Sequence, residues 1–173
     1  IQPDVIVCRT EVPMSTDAKD KIALFCNVKA ANVIQNLDVD CLYDIPLMLE
    51  KEGMARAVLN ELGLENRPAE LDEWKAIVKH RRELTDHVNV ALVGKYVSVP
   101  DAYLSVAEAL CHAGLSQDVQ ISLRMVDSAR LTPDTVAEQL GDADAIVLPG
   151  GYGSRGAEGI ILAAQYAREN RVP

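Results

Sequence analysis

VNVALVG, residues 88–94, leads through a polar connection into DAYLSVAEALCHAG, residues 101–114. The first stretch reads as a strand. The second spaces its apolar side chains as a helix does, with Asp101 the expected cap and Gly114 expected at its end. Outward from this pair the alternation continues toward the C-terminus. DVQISLRMVDS (118–128) reads as a strand, TPDTVAEQLGD as a helix with Pro133 in its first turn, ADAIVLPG as a strand and IILAAQYAREN as a helix. Strand, helix, strand, helix, strand, loop, helix is the pattern of a parallel sheet with right-handed crossovers, so an α/β fold with Rossmann-like parallel sheets is expected.

Upstream the pattern is less regular. DVIVC, just after Pro3, reads as a strand, and KIALFC (21–26) as a second one buried on both faces. NVIQNLDVDCLYDIP reads as a surface segment with a short strand. LMLEKEGMARAVLNELGL (47–64) has a helical stripe, stopped by Pro68. LDEWKAIVKHRREL (71–84) reads as another helix, with Trp74, Ile77 and Val78 on one side and a solvated charged face opposite. These readings put a domain boundary near residues 80–87, with 71–84 as connector. The chain opens on a strand and closes on RVP, the start of a further strand, so it is expected to be an internal piece of a longer protein.

Composition narrows the function. The chain has 173 residues, 49% hydrophobic and 25% charged, and a formal net charge of -9. With a pI near 4.8 its field repels nucleic acid and anionic membrane surfaces, while a local group of cations or backbone N–H donors still suits a small anion. No stretch approaches the ~20 apolar residues of a membrane span. The first residues lack the basic start of a signal peptide, so a cytoplasmic protein is expected. Cys8, Cys26, Cys41 and Cys111 are scattered without metal-ligand spacing and read as reduced structural residues, as do neighbouring Cys111 and His112. No metal ligands are expected among these residues.

In open parallel sheets, ligands collect beyond the carboxyl ends of the strands. Three connections of the second half lie there: 94–103, carrying Lys95, Asp101 and Tyr103; the turn beginning at Asp127 and Ser128; and LPGGYGSRGAEG (148–159). Gly150, Gly151 and Gly153 can take positive φ and expose backbone N–H groups to a carboxylate or a developing oxyanion. Tyr152 offers a flat surface and Arg155 a charge. The residues alone leave two readings open, an anion-cradling loop or a glycine-rich turn with Arg155 in solvent. The loop is neither a P-loop nor a dinucleotide fingerprint. In the first half, Arg9 and Lys21 flank the acidic stretch TEVPMSTDAKD near expected strand ends, where a phosphate could sit; taken singly, each reads more readily as an ordinary surface cation.

The blocks IQPDVIVCR, KIALFCNV, DVDCLYDIPL, VALVGKYVSVPDAYLSVAEALCHAG and LPGGYGSRGAEG…YAREN, in this order, resemble the CTP synthase family along essentially the whole chain. The resemblance implies three segments. Residues 1–66 would be the C-terminal part of a P-loop-like synthetase (amidoligase) domain, 67–87 an interdomain helix and linker, and 88–173 the N-terminal part of a class I glutamine amidotransferase domain. It implies a glutamine-hydrolysing ligase that aminates UTP to CTP with ATP and Mg²⁺, using ammonia released from glutamine. GTP would be its activator, CTP its feedback inhibitor and a homotetramer its assembly.

Residue by residue, the resemblance assigns Lys21 to UTP or CTP, and Arg9, Asp38 and Val39 to the surroundings of ATP. Gly150 and Gly151 are assigned to glutamine and the oxyanion, and Tyr152 and Arg155 to GTP. Leu104 stands where some members carry a lysine linked to GTP activation. The P-loop and Mg²⁺ ligands would precede Ile1, and the nucleophilic cysteine, histidine and glutamate would follow Pro173. The 173 residues alone are therefore expected to be inactive. Two other readings remain: a non-catalytic nucleotide-binding or assembly module that keeps this fold, and a different class I amidotransferase, which would fit residues 88–173 only.

Overall fold

A computed structural model describes residues 2–99 and 101–173; Ile1 of the first quoted block and Pro100 of the 94–103 connection lie outside the described residues. The chain divides into two compact units, Ile1–Lys79 and His80–Pro173. It is an α/β protein with parallel sheets.

The first unit holds two parallel strands, β1 (Ile6–Thr10) and β2 (Val33–Leu37), in register from Ile6 opposite Val33 to Thr10 opposite Leu37. Val33 and Ile34 are its best-buried strand residues, although their stretch was expected to be mostly surface. Between the strands lies helix α1, Thr16–Cys26, which corrects the expectation of a strand at 21–26. Local signals decide this. The Ser15 hydroxyl accepts from Ala18 N at 3.2 Å, and Asn27, in the left-handed conformation (φ 53°), closes the other end. The apolar run misled because Leu24 and Phe25 are 77% and 85% exposed, so their hydrophobicity does not report burial. Ser15→Ala removes the cap and is expected to cost about 1 kcal/mol, read as a lower urea midpoint for this unit.

The helix expected over 47–64 is two helices, α2 (Ile45–Lys51) and α3 (Met54–Glu61). Gly53 stands between them at φ +84°, a conformation that reverses the chain and that other residues rarely take. Helix α4 (Asp72–Glu83) follows, with Val78 buried and the Trp74 indole donating to Tyr43 O at 2.7 Å.

The second unit contains β3 (His87–Gly94), α5 (Leu104–Ser116), β4 (Gln120–Asp127), α6 (Val136–Leu140), β5 (Ala145–Val147) and α7 (Ala157–Asn170). The strands are all parallel, in the order β4-β3-β5, so β3 is central. That explains its continuous apolar run: the five residues from Val90 to Gly94 are all buried. Ala91, Val93, Val126, Leu131, Val136, Leu140, Ala143 and Ala163 form the core, joining the sheet to α6 and α7. Helix α5 starts at Leu104, so Asp101 is not its cap but stands in the turn before it. Gly114 lies inside α5 rather than at its end, because β4 crosses close by: a Cβ there would meet Val119 O at 2.8 Å. No helix among the described residues is long and apolar enough to cross a membrane.

Candidate functional site

The three connections singled out in the second half do meet beyond the carboxyl ends of the strands, and Lys95 is where they join. It follows the last residue of β3, is only 4% exposed, and lays its chain under the glycine loop. Its ammonium donates to Tyr152 O at 2.7 Å and to Gly153 O at 2.8 Å. In return, the Arg155 guanidinium donates to Lys95 O at 2.8 Å and lies over the Tyr96 ring, 5.5 Å from its centroid. A buried ammonium needs such acceptors, because desolvation without them is costly. Tyr96 N donates to the Tyr103 hydroxyl at 3.2 Å, and the buried Tyr103 packs directly over Gly94. The turn after β4 supplies Ser128, 1% exposed, whose Oγ would sit 2.4 Å from a Cβ at Gly156.

Within the loop the glycines have separate jobs. Gly153 (φ +79°) and Gly156 (φ +73°) use the left-handed conformation, whereas Gly150 and Gly151 are not among the positive-φ residues. Gly151 is needed for space, since a Cβ there would lie 2.9 Å from Lys95 Cε. Gly150 has open space around it. Tyr152 is 96% exposed, so its ring is available to a ligand. Arg155, by contrast, is engaged with Lys95 and Tyr96. Burial pushes the Cys111 thiol above its ordinary range, the opposite of what a nucleophile requires, in keeping with a structural role.

In the first unit the parallel pairing brings the carboxyl ends of β1 and β2 side by side, and with them two of the sequence candidates. Arg9 Nε donates to Asp38 Oδ1 at 2.9 Å and its Nη2 reaches Oδ2 at 3.4 Å. The hydrogen bond from Arg9 holds the Asp38 carboxyl below the usual carboxylate range and raises the arginine in turn. Val39 is the next residue along and is half-buried. Lys21 does not lie near a strand end as expected. It is on α1, bonded one turn back to Asp17 at 2.6 Å. The residue that sequence reasoning underrated is Lys95; its one signal was a lysine directly following a buried strand.

Residues 1–64 match the CTP synthase N-terminus family and residues 98–173 the class-I glutamine amidotransferase family. The CTP synthase of Ruminiclostridium cellulolyticum is 51% identical over all 173 residues, and that of Moorella thermoacetica 50% identical over the same span. The chain covers 32% of the length of each. A solved structure, the glutaminase domain of Trypanosoma brucei CTPS with bound acivicin, is 39% identical, with 50% of this chain and 34% of that one covered and a TM-score of 0.46. The parallel sheet with its glycine loop thus has the fold of a class I glutamine amidotransferase, and the residues before it match the CTP synthase N-terminus. The chain is similar to CTP synthases along all of its 173 residues and spans about a third of the length of the curated relatives it matches.

Proposed function

We propose that this chain works within a glutamine-hydrolysing CTP synthase, which uses ATP and glutamine-derived ammonia to aminate UTP to CTP. Residues 88–173 would supply one wall of the glutaminase, residues 1–66 part of the nucleotide-binding synthetase, and 67–87 the link between them. The observation that carries this reading is the join at Lys95, which fixes a glycine loop at the carboxyl edge of a parallel sheet. Similarity along all 173 residues to part of a CTP synthase supports it further.

In this reading Gly150 and Gly151 present backbone N–H groups to glutamine and to the oxyanion formed as its amide is attacked. The exposed Tyr152 ring stacks on the guanine of GTP, with Arg155 beside it. Arg9, Asp38 and Val39 border ATP, and Lys21 contacts UTP or the feedback inhibitor CTP. Lys21 would have to exchange its Asp17 partner for a phosphate, an easy change for an exposed i,i+4 pair. Mg²⁺ belongs to the proposed ATP chemistry. Among the described residues no group of three or more His, Cys, Asp or Glu side chains could hold a metal ion, so no residue is assigned to it. GTP activation, a homotetramer and a cytoplasmic setting are part of the same proposal.

The test is CTP formation by the whole natural protein that contains this chain, with glutamine or ammonium as nitrogen source. Both are expected to yield CTP from UTP and ATP, and GTP to accelerate only the glutamine reaction. If neither source yields CTP, the non-catalytic nucleotide-binding module takes the place of this reading.

A further inference from the structure

We propose that Lys95 is a positioning residue for glutamine hydrolysis: its ammonium pins the Tyr152 and Gly153 carbonyls and so holds in place the loop that carries Gly150 and Gly151. The inference rests on the glutaminase reading above and adds to it a buried residue beneath the loop. A trans peptide is planar, so its C=O and the following N–H point in opposite directions. No peptide bond among the described residues is cis. The carbonyls of Tyr152 and Gly153 both turn in to the Lys95 ammonium, at 2.7 and 2.8 Å. The N–H groups of Gly153 and Ser154 therefore both face away from it. Gly153, the residue between these two peptides, has a φ of +79°, a backbone conformation that glycine takes without strain.

Three further contacts argue that this arrangement is built rather than incidental. Gly151 leaves out the side chain that would press on Lys95 Cε at 2.9 Å. Arg155 donates back to the Lys95 carbonyl at 2.8 Å, tying the two connections in the reverse direction. The Tyr103 hydroxyl accepts from Tyr96 N at 3.2 Å, which holds the backbone next to Lys95. Without the ammonium, the two carbonyls would lose their shared donor and those peptides could rotate. The adjoining Gly150 and Gly151 would then spend less time with their N–H groups facing substrate, which lowers kcat more than it weakens binding.

The experiment uses Lys95→Met in the whole natural protein, with Lys95→Gln as the variant that keeps an N–H donor in similar space. Steady-state glutamine hydrolysis is measured alongside hydrogen exchange of peptides covering 150–156. For Lys95→Met a fall in kcat of about 100-fold is expected, comparable to losing one oxyanion donor. KM should stay within about threefold, and exchange should rise in 150–156 alone. Lys95→Gln should lose less on both readouts. An unchanged kcat with unchanged exchange would overturn the proposal. So would exchange rising throughout His80–Pro173, since Lys95 would then be a folding residue. If the unmodified protein hydrolyses no glutamine, the glutaminase reading fails by itself, and loop exchange in the variants still decides whether Lys95 orders the loop.

Discussion

Gly159→Ala is expected to unfold the His80–Pro173 unit under conditions where the unaltered protein is folded. A Cβ at this position would lie 1.8 Å from the carbonyl oxygen of Ser128, 2.8 Å from its carbonyl carbon and 3.2 Å from its Cα. These are backbone atoms of the turn after β4, so no side-chain rotation can clear them. Gly159 lies in the first part of α7, where alanine would ordinarily favour the helix by roughly 1 kcal/mol. The clash outweighs this gain. Separating α7 from the turn would also open the core around Ala163 and Leu140, and the net loss is expected to be at least about 3 kcal/mol. That is a large share of the roughly 5–15 kcal/mol that holds a domain together. Urea unfolding followed by circular dichroism would show it as a lost or much earlier transition for this unit, whereas a midpoint like that of the unaltered protein would mean α7 is not pressed on Ser128.

The second large effect is expected at Gly94, the last residue of β3. A Cβ there would meet the Tyr103 hydroxyl at 2.4 Å and ring atoms Cζ and Cε2 at 2.6 and 2.7 Å. Tyr103 is only 6% exposed, so the ring has little room to retreat except by leaving its pocket. Gly94→Ala would then strip the acceptor from Tyr96 N and loosen the backbone that carries Lys95. We expect a stability loss of about 2 kcal/mol, within the range for forced overpacking. Glutamine hydrolysis should fall with it. The double variant Gly94→Ala/Tyr103→Ala makes the cause testable: if the clash with the ring is responsible, its loss of stability is smaller than the sum of the two single losses. Strict additivity would place the strain elsewhere.

The second unit was largely legible in the sequence because its physics is repetitive. A central strand buried on both faces has to be apolar throughout, as Val90 to Val93 are, and each crossover helix must then cover that sheet. The convergence of the three connections followed from topology alone. The first unit was harder where hydrophobicity and burial part company. Leu24 and Phe25 are apolar yet exposed, so a helix looked like a buried strand until the Ser15 and Asn27 caps were seen. Gly53 sits in an otherwise helical stripe, and only its positive φ shows that the stripe is two helices.

Within the site, spacing singled out the glycines but could not divide their labour. Open space at Gly150, room for a lysine at Gly151 and a reversed backbone at Gly153 are facts of tertiary approach. The same holds for Lys95 and Gly159. A lysine in a loop is ordinarily a surface cation, and a glycine in a helix ordinarily a small defect. Each acquires its importance from a segment distant in sequence, Tyr152 and Gly153 for one and Ser128 for the other.

We propose that the glycine loop serves a glutaminase feeding a UTP-aminating synthetase. The most direct measurement is the rate of CTP formation by the whole natural protein from UTP and ATP, with glutamine and with ammonium as alternative nitrogen sources. CTP is expected from both, with the glutamine reaction alone accelerated by GTP. CTP from ammonium but none from glutamine, with GTP present, would contradict the role given to the loop.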